Sequence, residues 1–122
     1  MKRSSHAAQI QHNFDPDQIL YLAGDVNYCT VYLLDGRAIL SSRTLKWYSN
    51  RWPCFIRIHK GYLINPAYVH NCIVLSSILA YMIMHNGARL PIGRRRISQV
   101  IQELGFGLPA YGRTSSYLLV AS

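Results

Sequence analysis

Apolar and polar positions change their period several times along this chain. "QILYLAGDVNYCTVYLLDGRAILS" holds two apolar runs interrupted at Asp25–Asn27, which predicts strands joined by a loop or bulge. Asp35-Gly36 then supplies a hairpin turn. In "SSRTLKWYSNRWP" the period lengthens. Leu45, Tyr48 and Trp52 fall at i, i+3 and i+7, one face of a short helix that Ser42 or Thr44 can cap and Pro53 ends. "FIRIHKGYLINPAYV" alternates like a strand and stops at Asn65-Pro66. Ile56, Ile58 and Lys60 share one of its faces, Arg57 and His59 the other, and Lys60-Gly61 reads as a turn or bulge. "YVHNCIVLSSILAYMIMHNGARLPIG" predicts further strands, with turns at Ser76-Ser77 and Asn86-Gly87. In "RRRISQVIQEL" the apolar residues Ile97, Val100, Ile101 and Leu104 mark a helical face, and Gly105 stands just past its end.

Many short strands, hairpin signals and two short helices give a mostly β fold class, as packed antiparallel sheets or a partly open barrel. The 122 residues suit one domain that can bury a core of its own. Residues 1–16 are polar and mixed and read as an arm or linker, residues 17–104 as the domain, and residues 105–122 as a tail. Within that tail "SYLLVA" reads equally as an added strand.

Charge changes the picture most. The formal net charge is +8, from 13 Lys plus Arg against 5 Asp plus Glu. The acids are Asp15, Asp17, Asp25, Asp35 and Glu103, so nothing between Gly36 and Gln102 is acidic. That span carries basic residues throughout, from Arg37 to Arg96. A fold with so few internal counter-charges turns a positive field outward and attracts nucleic acid, anionic lipid or an acidic protein. Cys29, Cys54 and Cys72 are an odd count, which fits a reducing cytoplasm better than a disulfide scaffold. The basic start "MKRSSHAAQIQHNF" lacks the apolar core of a signal peptide, and "CIVLSSILAYMIM" is too short to span a bilayer. These features predict a cytoplasmic protein without membrane contact.

Two clusters carry candidate chemistry. Arg94, Arg95 and Arg96 occupy the first turn of a predicted helix, where positive charge opposes the helix dipole by roughly 0.3–1 kcal/mol each. The arrangement makes sense if an external anion such as phosphate completes it, and the plain alternative is a solvated basic turn. His59 and Lys60 sit near a strand end, where they can reach a groove, and the plain alternative for His59 is a hydrogen-bonded structural histidine. A zinc site from Cys54, His59, His70 and Cys72 finds little support, because no C-x-x-C or H-x-x-x-H pair is present. No metal, no cofactor and no enzyme activity is expected, since no nucleophile motif, carboxylate dyad, P-loop or dinucleotide fingerprint occurs. The 9 tyrosines are open to base stacking but show no RNP-like pattern, which leaves RNA a distant alternative.

The stretches "ILYLAGDVNYCTVYLLDGR", "TLKWYSNRW", "FIRIHKGYLINPAYV" and "HNGARLPIGRRRISQV" together resemble the LytTR-type DNA-binding domain of bacterial transcription regulators, from about Gln18 to Leu104. The resemblance implies an elongated fold of short antiparallel sheets. It implies loops inserted in successive major grooves of direct-repeat sites in double-stranded DNA. The contacting positions carried over are Asn27 and Tyr28, His59 and Lys60, and Arg94 with Arg95. Phosphate contacts are expected from Lys60, Arg94, Arg95, Arg96 and Arg43. Gly61 and Gly93 depart from the family pattern, where a polar residue and a serine are usual. Most members also carry a receiver domain, so a receiver domain or sensor protein is a further expected partner. The chain is then a stand-alone regulator or a fragment of a larger one, and monomeric off DNA. The alternative function is a protein-interaction module that has lost DNA readout.

Overall fold

The structure, a computed structural model, describes residues 13–105 and the backbone of residues 115–118. Two antiparallel sheets hold nearly all of its regular structure. The first contains β1 (Ile19–Gly24), β2 (Cys29–Leu33), β3 (Ala38–Ser41), β4 (Ile56–His59) and β5 (Tyr62–Ile64), in the order β3-β2-β1-β5-β4. The second contains β6 (Val69–Ser76), β7 (Leu79–Met84), β8 (Arg89–Ile92) and β9 (Ser115–Leu118), in the order β8-β7-β6-β9. Two short helices accompany them, α1 (Leu45–Arg51) and α2 (Ile97–Glu103). The mostly β fold class expected from the sequence is therefore the one found. The proposed arm lies for its first 12 residues outside the described ones, and the tail beyond Gly105 likewise, apart from the backbone of β9.

The turns form where the dipeptides predict them. Gly36 and Gly87 take φ of 94° and 88°, a left-handed conformation that costs glycine little. Each preceding side chain closes its turn: Asp35 Oδ1 accepts from the Arg37 amide at 3.0 Å, and Asn86 Oδ1 from the Ala88 amide at 3.0 Å. Thr44 is the cap of α1, its Oγ1 accepting from the Trp47 amide at 3.1 Å.

The first sheet is covered on both faces, and β1 shows how. A register shift between Ile19 and Tyr21 breaks the strict alternation and lets four consecutive residues be buried, two toward each side of the sheet. Ile19 and Leu22 pack with Leu45, Tyr48 and Trp52 of the α1 region, while Leu20 and Tyr21 join the core between the sheets. That second core gathers Ile56 and Ile58 of β4, Cys72 and Val74 of β6, Met82 of β7 and the apolar face of α2. Each fully buried Leu, Ile or Met side chain contributes roughly 1.5–3 kcal/mol.

Two expectations need correction. The strand-like stretch from Phe55 to Ile64 does not run on past Lys60-Gly61 as one strand with a bulge. It is a tight hairpin in which β5 lies between β1 and β4, and β4 is at the edge. A register shift between Arg57 and His59 accompanies the turn. Arg94–Arg96 are not the first turn of an α-helix either. They form a separate 3-10 turn, and α2 begins after them at Ile97. Three adjacent cations are tolerated there because the turn needs no carboxylate cap: its Arg96 amide already donates to the Gly93 carbonyl at 2.7 Å.

One contact sets how closely α1 approaches β1. A Cβ built on Gly24 would stand 2.4 Å from Leu45 Cγ. Gly24→Ala is expected to push α1 away from the sheet and destabilise the domain by roughly 1–3 kcal/mol. Urea titration of the variant checks this; an unchanged midpoint would refute so close an approach.

Candidate nucleic-acid interface

The hairpin between β4 and β5 builds the centre of the site. Ile56 and Ile58 point into the core, so Arg57 and His59 face the other way. Arg57 then folds back along its own strand. Its Nε donates to the His59 carbonyl at 3.0 Å and its Nη2 to the Lys60 carbonyl at 2.6 Å. The side chain is thus a clasp on the turn rather than a free cation. His59 is half-buried, and its Nδ1 accepts from the Gly61 amide at 3.0 Å. Lys60 is exposed at the tip.

Neighbouring elements lock onto this turn. The Gly24 amide donates to the Gly61 carbonyl at 2.8 Å, which ties the end of β1 to it. The Gly93 amide donates to the Ile58 carbonyl at 2.7 Å, and Arg96 Nη1 to the Arg57 carbonyl at 3.4 Å. The arginine turn therefore runs alongside β4. Between the β1–β2 loop, the start of α1 and the hairpin lies a groove of about 740 Å³, whose walls include Asp25, Val26, Lys46, His59 and Lys60.

The sequence-derived candidates distribute as follows. His59, Lys60 and Arg96 come together. Arg94 and Arg95 are exposed on the adjoining turn. Asn27 and Tyr28 are exposed in the β1–β2 loop, next to the groove residues Asp25 and Val26. Arg43 is exposed and stands over the Trp47 ring at 4.6 Å, a cation–π contact. Lys46 lines the groove although the motif did not single it out. Its one signal was its place on the polar face of α1, next to buried Leu45.

The electrostatics match the geometry. Among the described residues the one ion pair joins Arg37 to Asp35 at 2.8 Å; the Arg37 amide first, then the Arg37 side chain, holds the Asp35 carboxyl below its ordinary range. The other described basic side chains have no carboxylate partner within ion-pair distance, so their field reaches solvent. Around His59 the charge is crowded. Burial first, then Lys60, Arg96 and Arg57, push its pKa below the ordinary histidine value. Burial and Arg96 similarly lower that of Arg57.

The cysteines take no part. Cys29 and Cys72 are buried core residues whose thiols burial pushes up to about 12, whereas Cys54 is exposed. Among the described residues no three His, Cys, Asp or Glu side chains meet as a metal site would require. No described helix is long and apolar enough to cross a membrane.

The model of the LytTr DNA-binding domain matches residues 10–105. The chain belongs to the LytTr DNA-binding domain family. This is a family of DNA-binding domains acting in transcription regulation rather than a family of enzymes. The LytTr domain here is 28% identical over 90 residues to a Vibrio cholerae protein named "Uncharacterized response regulatory protein", covering 74% of this chain and 37% of that one. The chain thus spans little more than a third of the curated relative it matches. Its fold is similar to that of a structure described as the "LytTr DNA-binding domain of putative methyl-accepting/DNA response regulator from Bacillus cereus". The TM-score is 0.69 at 20% identity, over 76% of this chain and 86% of the other. Within the LytTr domain the departures at Gly61 and Gly93 are sterically open. A Cβ would find its nearest neighbours at 3.5 Å and 3.6 Å, so neither glycine is demanded by crowding.

Proposed function

We propose that this LytTr domain binds double-stranded DNA sequence-specifically, its loops entering successive major grooves of direct-repeat sites. The carrying observation is the convergence of the β4–β5 turn and the arginine turn beside one groove, with no carboxylate paired to either. Lys60, Arg94 and Arg95 are exposed and offer phosphate contacts, and Arg96 keeps donors to spare beyond its bond to the Arg57 carbonyl. Arg94 or Arg95, together with His59, reads base edges, arginine favouring guanine. Asn27 and Tyr28 approach from the β1–β2 loop, and Arg43 supports the backbone from beside α1. The domain acts as a monomer off DNA and answers to a receiver domain or sensor protein, a reading supported by its similarity to a longer response regulatory protein.

Selection of bound duplexes from a random pool tests this, followed by affinity at two salt concentrations. A repeated motif should be enriched, and three phosphate contacts should give a log–log salt slope of about −3. Absence of any enriched motif would refute sequence-specific binding and favour a domain that docks protein instead.

A further inference from the structure

The β4–β5 turn holds more fixed bonds than turning the chain requires. Arg57 clasps two of its carbonyls, and Gly61 gives its own carbonyl to the Gly24 amide. The Gly61 amide has a side-chain acceptor, His59 Nδ1, at 3.0 Å. A backbone amide can only donate, so Nδ1 presents its lone pair. A neutral imidazole carries one proton, which must then be on Nε2. The ring is steadied further by Tyr62 of β5, whose centroid is 5.6 Å away.

We propose that the Gly61 amide fixes His59 as the Nε2–H tautomer, so that it offers DNA a single donor and no acceptor, and that Arg57 is the positioning residue that keeps the turn in that register. This rests on the DNA-binding function proposed above. A lone donor selects the acceptors of the major groove, which are guanine N7 and O6, adenine N7 and thymine O4. It rejects the amino group of cytosine.

The neutral ring is the form the surroundings favour. Lys60 of the turn, Arg57 of β4 and Arg96 of the arginine turn all oppose a second proton. Lys46 of α1 adds a cation to the same groove, with Asp25 of the β1–β2 loop its acidic member. A second proton would go onto Nδ1, facing the Gly61 N–H, and would break the bond that orients the ring.

Nitrogen NMR of the imidazoles in the free full chain, with duplex preference measured for variants, tests both halves. His59 should show a protonated Nε2 and an unprotonated Nδ1 near neutral pH. His59→Asn keeps an acceptor for Gly61 but has no group at the Nε2 position. It should lose about tenfold discrimination at one base pair while its amide spectrum stays folded. His59→Gln, whose amide reaches the Nε2 position, should recover part of that preference. Arg57→Met keeps an unbranched apolar stem but has no donor for the two carbonyls, and should average the His59 nitrogen signals and weaken the same base preference. A proton found on Nδ1, an even tautomer mixture, or full discrimination in His59→Asn would overturn the inference and leave DNA binding intact. A wild-type chain with no duplex preference would overturn the DNA reading and the readout together.

Discussion

Alanine at both Arg94 and Arg95 is expected to weaken binding to the preferred duplex severely while slightly stabilising the free protein. The two side chains are exposed and make no described bond within the fold, so nothing in the core depends on them. Their cost to the free domain is electrostatic. They are adjacent cations on a 3-10 turn that leads into the N-terminus of α2, each opposing the helix dipole by roughly 0.3–1 kcal/mol. Removing both relieves that repulsion, so urea midpoints should rise a little. On DNA the sign reverses. The member that reads a base edge contributes roughly 1–3 kcal/mol, and its loss relaxes one position of the site. A member that contacts phosphate weakens all sequences alike and flattens the salt slope by about 1. Fluorescence anisotropy on the selected duplex and on a scrambled one, for each single variant, separates the two roles. Affinity that survives in the double variant would show that the arginine turn is only a solvated basic surface.

What the sequence revealed and what it hid follow from the range of the interactions concerned. The Asp35-Gly36 and Asn86-Gly87 turns, the Thr44 cap and the apolar face of α2 are local, set within a few residues by backbone geometry and periodicity. In "FIRIHKGYLINPAYV" the alternation leaves Lys60-Gly61 open between a bulge and a full turn, because this dipeptide does not demand left-handed backbone, and Gly61 indeed keeps a negative φ. The turn is held by a long side chain folding back locally, from Arg57 to the His59 and Lys60 carbonyls, and by bonds from distant backbone, Gly24 to Gly61 and Gly93 to Ile58. Alternation told which face Arg57 left by, but not that so long a side chain would fold back onto the next carbonyls. The positions proposed to contact DNA came from the motif. The groove that accompanies them needs β1, α1 and β4 in one place, so Lys46 had no way to stand out among the other exposed lysines and arginines.

Asn65→Ala is expected to be the most destabilising single side-chain truncation of a polar residue, at about 3 kcal/mol. Asn65 is 5% exposed, and its side chain spans the chain. Nδ2 donates to the carbonyls of Pro16 and Ile19, each at 3.0 Å, and Oδ1 accepts from the Ala67 amide at 3.0 Å. Alanine leaves two acceptors and one donor without that partner, each costing roughly 1–3 kcal/mol where water cannot replace it. The Tyr68 hydroxyl, donating to the Asp17 carbonyl at 2.5 Å, and the backbone bonds from the Asn65 amide to Leu20 and from the Leu34 amide to Gln18 would remain at the start of β1. Asn65→Asp sharpens the test, because it keeps the acceptor for Ala67 but turns a second oxygen toward two carbonyls. Those carbonyls raise the new carboxyl's pKa in the folded state above its unfolded value. Asn65→Asp should therefore be at least as unstable as Asn65→Ala near neutral pH, and should regain stability as pH falls toward the unfolded carboxyl value, where the protonated group can donate. The clamp acts at the start of β1, whereas Gly24 at its far end meets the β4–β5 turn proposed to contact DNA. Duplex preference of the folded fraction should therefore be unchanged in both variants, measured well below their urea midpoints. A changed base preference would show that the start of β1 is coupled to the groove through the strand itself.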